Sequence, residues 1–522
     1  MFCIVTRIDM HAEQGINPGE RKMAVRDAGK LGEQQQRQER AGLGYIRAIA
    51  DHAFSRAASA PLVGGNQVRL LKDAQENYPA WRDAIRAAKH HVHFENYIIY
   101  DDEIGRSLAH ELIAKAREGI HVRLIYDWLG CFGKASSNFW NHLRAGGVEV
   151  RCYNPPHLDS PFGWLSRDHR KTIAIDSNIG FISGLCVGSR WLGNPKKNIQ
   201  PWRDTGVEVR GNVVAQLERA FAHIWEMLGE PIPASEQLCS SNQADAGQMN
   251  LRIVAGLPEM AGMLRLDLLI SSMARKRLWL TDAYFAGTST YVEALKSAAR
   301  DGVDVRLLLP SGTDIPILKP LSRAGYRPLL VAGVRIFEWN GTMLHAKTSV
   351  ADGNWARVGS TNLNLASWFG NCELDAVIED AAFASEMEAM YLDDLANATE
   401  VVLNNANKVR APGAPRHAPR GLNSGGGSIG RAAAGTLRLS NTIGAAFTNH
   451  RVLETAEGKI VSIAGAALLC LAIFFVFFPR FLAYPVSLVC AWIALTLLYR
   501  GYRLHRERRR SLASDRKAEE PQ

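Results

Sequence analysis

The sequence predicts an α/β protein: a duplicated α/β sandwich of two pseudo-symmetric halves, followed by a C-terminal two-helix transmembrane hairpin. Three observations carry this expectation: an internal repeat through the middle of the 522-residue chain, helix-then-strand units at matching places in both copies, and two uncharged apolar runs near the C-terminus. A chain of this length is too long for one ordinary domain and has ample material for a large core.

Residues 1–60 read as a disordered or weakly ordered leader. Met1 to Gly44 is mostly polar, rich in Gln and Arg, and lacks the long apolar stretch of a signal peptide. The first half is placed at 61–235 and the second at 236–403. In the first, Ile104, Leu108 and Leu112 recur every four residues and make one apolar helix stripe. Gly119 and Gly302 then stand where a helix C-cap belongs, just before the runs HVRLIYD and DVRLLLP. Gly147-Val148 and Gly333-Val334 mark the next turn into a strand in each copy. The period, about 180 residues, is far beyond that of solenoid repeats and implies a duplicated domain, with one active site shared across a pseudo-twofold axis.

Residues 404–459 turn to Pro, Gly, Ser, Ala and Arg and read as a linker. Residues 460–478 and 481–499 are uncharged apolar runs of nineteen residues each, close to the roughly 20 that span a bilayer as a helix. Only Pro479-Arg480 separates them, which suits a tight hairpin across 460–499. A buried hairpin of a soluble core would show a polar face, and these runs show none. The Arg-rich residues 500–522 form a basic tail, cytoplasmic by the positive-inside rule, and an even number of spans keeps the catalytic part on that side.

Charge sorts the partner classes. The chain has a net charge of +9, yet residues 404–510 alone hold fifteen Lys or Arg against three acids. The globular remainder is slightly acidic, which argues against a nucleic-acid-binding face and for a basic flank beside a membrane. The eight cysteines are scattered with no C-x-x-C pair, so neither a zinc site nor a disulfide framework is expected, and a reducing cytosol fits.

Each repeat copy ends in the same constellation. HRKTIAID supplies His169, Lys171 and Asp176; HAKTSVAD supplies His345, Lys347 and Asp352. For an isolated histidine or lysine, a structural residue or a solvated charge is the better reading. Two copies at equivalent repeat positions reverse that judgement. Residues i and i+2 of a strand face the same side, so His and Lys of each H-x-K project together into one cavity. A neutral imidazole can attack a phosphodiester to give a phosphohistidine, and a second histidine can protonate the leaving alkoxide. Two lysines would hold the non-bridging oxygens through the transition state, with no metal or other cofactor required. After the second motif, Gly359-Ser360 and Asn362 form a small polar turn suited to return a hydroxyl and an amide to the same cavity.

With these motifs the sequence resembles the phospholipase D superfamily, and within it the bacterial cardiolipin synthases, over roughly Asn66 to Glu400. ENYIIYDDEIG, VRLIYDWLG, PWRDTGVEVRG, LLPSGTDI and GSTNLNLASWFGNCEL are similar to that family's blocks. The resemblance implies a phospholipase D-like version of the duplicated sandwich and a ping-pong mechanism, with His169 favoured as nucleophile. It implies that His169, Lys171, His345 and Lys347 are catalytic and that Asp176 and Asp352 orient or support the histidines. Ser360 and Asn362 match the family's polar turn, and Asp204 and Glu373 match acidic positions that orient a histidine. Two places depart from the pattern: Ser183-Gly184 and Cys186 stand where a double glycine and an asparagine are usual, and DAYFAG lacks a proline before the tyrosine.

The resulting expectation is a phosphatidyltransferase of the bacterial inner membrane, its catalytic part facing the cytoplasm. It would act on phosphatidylglycerol, with phosphatidylethanolamine as a second candidate substrate, and not on nucleic acid. A lipid-hydrolysing phospholipase D, a superfamily nuclease and a non-catalytic membrane scaffold are the competing readings. Neither the choice between water and alcohol as acceptor nor the oligomeric state follows from the residues.

Overall fold

The protein is described here by a computed structural model, which covers residues 50–156, 165–194, 196, 198–236, 245–312, 314, 322–323, 325–403, 409–410 and scattered positions between 466 and 498. The first half contributes β1 (Val63–Lys72), α1 (Asp73–Ala87), β2 (His91–Asn96), α2 (Glu103–Arg117), β3 (His121–Asp127) and β4 (Glu149–Tyr153). It continues with β5 (Arg167–Asp168), β6 (Lys171–Ile175), β7 (Ile179–Ser183), β8 (Thr205–Gly211) and α3 (Val214–Met227). The second half repeats the plan with β9 (Met249–Gly256), α4 (Gly262–Met273), β10 (Arg277–Thr281), α5 (Ser289–Arg300), β11 (Asp304–Pro310) and β12 (Arg335–Trp339). Then come β13 (Thr348–Ala351), β14 (Trp355–Gly359), β15 (Asn371–Glu379), α6 (Ala381–Ala396) and β16 (Ala398–Leu403).

Each half builds a mixed sheet by the same pairings. β2, β3 and β4 run parallel, with Phe94 opposite Leu124, and β6, β7, β8 and β1 add antiparallel strands beyond β2. In the second half β10, β11 and β12 are parallel, and β13, β14, β15 and β9 follow antiparallel. The halves meet where β1 pairs with β9, Val63 opposite Leu251 and Asn66 opposite Met249. They therefore share one continuous sheet.

Side-chain alternation along β6 shows how the sheet is covered. Ile173 and Ile175 pack with Val92, Phe94, Ile85 of α1 and Leu112 of α2. Ala174, on the opposite face, joins Val207, Leu217 of α3, Ile253, Val358, Leu374 and Met387 of α6. That second cluster draws on both halves, so their common interior, at roughly 25 cal/mol per Å² of apolar surface buried, is a main force joining them.

The repeat's helix ends close as the glycines indicate. Asp102 caps α2 by accepting from the Ile104 and Gly105 amides, and Thr288 caps α5 by accepting from Tyr291. At the other end Gly119 and Gly302 have φ of +87° and +91°, the left-handed conformation that favours glycine. The amides of Ile120 and Val303 bond the Lys115 and Ala298 carbonyls, completing a Schellman turn in each copy.

The described residues bear on the chain's margins in three places. Residues 50–58 are helical, inside the stretch read as leader; ADHAFSRAA is Ala-rich with Asp near its start, a composition that favours helix. Val409–Arg410 pairs with the end of β16, which carries the sheet into the stretch read as linker, because backbone pairing at an edge makes small demands on composition. Among the described residues, no helix is long and apolar enough to cross a membrane. Much of the expected hairpin at 460–499, and all of the tail at 500–522, lies outside the described residues.

Candidate active site

The two H-x-K segments are brought together because each is hydrogen-bonded to the backbone of the other half. The His169 amide donates to the Cys372 carbonyl at 2.9 Å, beside the pairing of β5 with the start of β15. The His345 amide donates to the Arg203 carbonyl at 2.7 Å, just before β8. Alternation then sorts the side chains. Arg170, between His169 and Lys171, turns to the opposite face and donates to the carbonyls of Ala220, Gly256 and Glu373. Ala346, between His345 and Lys347, enters the shared core.

Each histidine is held by a carboxylate from across the pseudo-twofold axis. His169 Nδ1 lies 2.9 Å from Glu373 Oε2, and His345 Nδ1 lies 2.8 Å from Asp204 Oδ2. Both carboxylates are themselves gripped: the Ser360 hydroxyl donates to Glu373 Oε2 at 2.6 Å, and the Trp191 indole donates to Asp204 Oδ2 at 3.1 Å. With Nδ1–H committed to the carboxylate, Nε2 of each ring is left as the free lone pair.

The lysines are almost fully buried, Lys171 at 2 % and Lys347 at 1 % exposure, and a buried ammonium requires partners. Each Nζ donates to the carbonyl of its own motif histidine. Lys171 also lies 5.2 Å from the Tyr97 ring centroid, and Lys347 5.9 Å from that of Tyr284. Lys347 Nζ is 3.1 Å from His345 Nδ1 as well, but that nitrogen has one proton, which Asp204 accepts, so the ammonium only borders it.

Burial and the neighbouring ammoniums set the protonation states. Burial pushes His169 down to about 4 against the pull of Glu373, with Lys171 and Lys347 acting in the same direction as burial. Burial likewise lowers His345 to about 4, assisted by Lys347 and Lys171 and opposed by Asp204. That each histidine feels the other motif's lysine marks a single electrostatic site. Burial brings Lys347 down to about 8 although Asp204 supports its charge. Burial would raise Glu373 and Asp204, yet their histidine and lysine neighbours hold both carboxyls below the usual range. Near neutral pH the site contains neutral imidazoles, ionised carboxylates and two ammoniums.

Asp176 and Asp352 correct an expectation: they do not touch the histidines. A full strand separates each from its histidine, roughly 20 Å at about 3.3 Å per residue. Asp176 accepts from the amides of Lys89, His90 and His91, and Asp352 from those of Arg275, Lys276 and Arg277. They sit at φ of +53° and +51° and tie the β6–β7 and β13–β14 turns to the starts of β2 and β10. The polar turn after the second motif is also redirected. Ser360 serves the Glu373 carboxylate, while Asn362 is 4 % exposed and its Oδ1 has no partner among the described residues.

Sequence reasoning assigned no role to several residues lining the site. Tyr97 follows β2 and Tyr284 follows β10, and they pack 4.7 Å and 6.0 Å from the rings of His169 and His345. Trp191 and Trp202 lie 5.7 Å and 5.8 Å from His345. Asp282 accepts from the amides of Tyr284 and Leu363, and burial lifts it to about 6 against the pull of Lys347. The tyrosines of ENY and DAY were the available signal.

Comparison with known proteins places this geometry. A family profile described as "Cardiolipin synthase, PLD-like domain" matches residues 81–225 and 269–395. The chain is 34% identical over 356 residues to a cardiolipin synthase of Geobacillus thermodenitrificans, covering 67% of this chain and 70% of that protein. It is 33% identical over 368 residues to cardiolipin synthase A of Pseudomonas fluorescens, covering 69% of this chain and 74% of that one. Among solved structures, phosphatidylserine synthase of Haemophilus influenzae superposes with a TM-score of 0.54 at 14% identity, covering 67% of this chain and 91% of that chain, a likeness of fold.

Proposed function

The chain belongs to the cardiolipin synthase family with phospholipase D-like domains, and from that premise we propose that it is a phosphatidyltransferase working through a phosphohistidine. The observation that supports this most is the crossed pair His169–Glu373 and His345–Asp204, two neutral imidazoles oriented by ionised carboxylates with an ammonium beside each.

His169 Nε2 attacks the phosphorus of a phospholipid such as phosphatidylglycerol. The P–N bond forms as the P–O bond to the head-group alcohol breaks. Glu373 accepts the Nδ1 proton in a hydrogen bond and stabilises the positive ring that develops. Lys171 and Lys347 hold the non-bridging oxygens, whose negative charge the buried site would otherwise leave uncompensated. The arriving diester anion raises the affinity of His345 Nε2 for a proton, which it takes up from solvent and donates to the leaving alkoxide. In the second step His345 takes the proton of the acceptor alcohol, whose oxygen attacks phosphorus and breaks the P–N bond. With a second phosphatidylglycerol as acceptor the products are cardiolipin and glycerol; with water they are phosphatidic acid and glycerol.

The apolar runs at 460–478 and 481–499 would hold this site beside its lipid substrate at the bacterial inner membrane, with the catalytic part facing the cytoplasm. The deciding experiment is incubation with phosphatidylglycerol, with and without phosphatidylethanolamine, followed by mass spectrometry of the lipids. Cardiolipin as the main product is expected. Phosphatidic acid alone would replace transfer by hydrolysis.

A further inference from the structure

The start of β2 carries a group of side chains that phosphatidyl transfer does not use. His91 and His93 alternate onto one face of the strand, and α3 lays Glu218 against them. One ring nitrogen from each histidine and a carboxylate oxygen all lie within 4.8 Å of one another. His91 Nε2 is 2.6 Å from Glu218 Oε1, while the amide and hydroxyl of Ser177 donate to the same carboxylate at 2.9 Å and 2.6 Å. His93 is 6 % exposed, its ring stacked between His91 at 4.5 Å and Phe221 at 4.6 Å. Neither of its nitrogens has a hydrogen-bond partner among the described residues. A buried imidazole with donor and acceptor both unmet is costly to keep, and a ligand would satisfy it.

The second half shows what fills the equivalent place there. Arg277 is the counterpart of His91, since the amide of each donates to the first oxygen of its turn aspartate, Asp352 or Asp176. The Arg277 guanidinium reaches Glu388 at 2.8 Å. Trp279 stands for His93, and its indole donates to Asp304 at 3.1 Å. At this place the second half thus supplies its own cation, Arg277, and the ring nitrogen that stands for those of His93 is bonded.

We infer that a divalent cation of the zinc type occupies the corresponding place in the first half, held by His91, His93 and Glu218. Two imidazole nitrogens and one carboxylate oxygen suit Zn²⁺, whose bonds of about 2.0–2.2 Å set ligand atoms roughly 3.4 Å apart. Small rotations of the rings and of Glu218, whose side chain is 16% exposed, close the 4.8 Å set onto such an ion. Water or His121, the register partner of His91 on β3, completes the coordination. Arg123, the register partner of His93, is the opposing charge, but Glu236 and Glu149 bind it and the Trp225 ring lies 5.8 Å away. With Glu218 counted, carboxylates outnumber that guanidinium. The ion would staple β2, α3 and the β6–β7 turn at the end of the sheet opposite the H-x-K motifs, independently of the transfer chemistry.

The test uses the full chain in detergent, stripped with EDTA, dialysed and titrated with ZnCl₂ alone by isothermal titration calorimetry. One equivalent of zinc should bind, with a matching rise in melting temperature. His93→Ala and Glu218→Gln should each weaken binding by more than tenfold, while His223→Ala, exposed on the same helix, leaves it unchanged. Glu218→Gln keeps an acceptor for the Ser177 donors, so it decides the matter if His93→Ala fails to fold. Wild-type protein that binds no zinc, or zinc bound equally by both ligand variants, overturns the site.

Discussion

The two halves share a backbone plan and differ in how each supports its histidine. In the second half Ser360 places a hydroxyl 2.6 Å from Glu373, the carboxylate that holds His169. At the matched place in the first half stands Gly184, against Asp204, where an added Cβ would overlap that carboxylate. Asp204 is instead bonded by the Trp191 indole, and Cys186 occupies the position of Asn362. Duplication thus fixed where the motifs meet, while the residues behind each carboxylate diverged. The difference teaches that the halves are not interchangeable: His169 rests on a carboxylate–hydroxyl pair, whereas His345 sits among Trp191, Trp202 and Tyr284. That division suits a nucleophile in one half and a proton carrier in the other.

The largest expected effect erases the comparison altogether. His169→Ala and His345→Ala should each lower turnover by well over the roughly 10²–10⁴ attributed to general acid–base help, without altering the circular dichroism spectrum. Either variant turning over near the wild-type rate would mean that the two halves do not share a site.

Neutralising the carboxylates probes the crossed support. Glu373→Gln and Asp204→Asn preserve shape but release the ring tautomer, and kcat should fall by roughly 10²–10⁴. Behind them the asymmetry becomes visible. Gly184→Ala must displace Asp204 and should cost more activity than Ser360→Ala, which removes the hydroxyl's bond to Glu373, worth on the order of a tenfold change, along with the one it accepts from the Leu374 amide. Equal, mild effects of the two would make the divergence between the halves irrelevant to catalysis.

The mildest prediction concerns pH. In the unfolded chain a histidine takes up its proton near 6.5, but His169 and His345 in the folded protein do so at about 4. The unfolded state therefore binds more protons between those values, and stability present above pH 6.5 is lost as the pH falls towards 4. Denaturant midpoints measured from pH 7.5 to 4.5 should decline, and less steeply in His345→Gln. On the alkaline side Lys347 loses its charge at about 8, so kcat/KM should fall above that pH. A flat profile to pH 10 would remove Lys347 from the binding of the diester.

How much of this was legible follows from what kind of contact each residue makes. His169 with Lys171 and His345 with Lys347 lie two residues apart on extended chain, so alternation alone reveals that they share a face. The glycine turns at Gly119 and Gly302 were equally readable, because their requirement is local. Asp176 was misread because H-x-K-x4-D records a spacing but not the strand β6 that carries the aspartate to the opposite end of the sheet. The crossing of Glu373 to His169 spans 204 residues of sequence and depends on the β5–β15 pairing, which no local pattern encodes. The unmatched His93 was invisible for a similar reason: its isolation appears only once α3 covers β2.

The central claim is that one histidine, held at Nδ1 by a carboxylate of the other half, attacks through Nε2. It is tested most directly by incubating the enzyme briefly with phosphatidylglycerol, denaturing it under alkaline conditions and locating the phosphorylated residue by mass spectrometry. The account predicts a phosphatidyl adduct on His169, at Nε2, that disappears in His169→Ala and accumulates in His345→Ala if the first step survives. An adduct at Nδ1, or continued turnover with neither histidine ever modified, would contradict it.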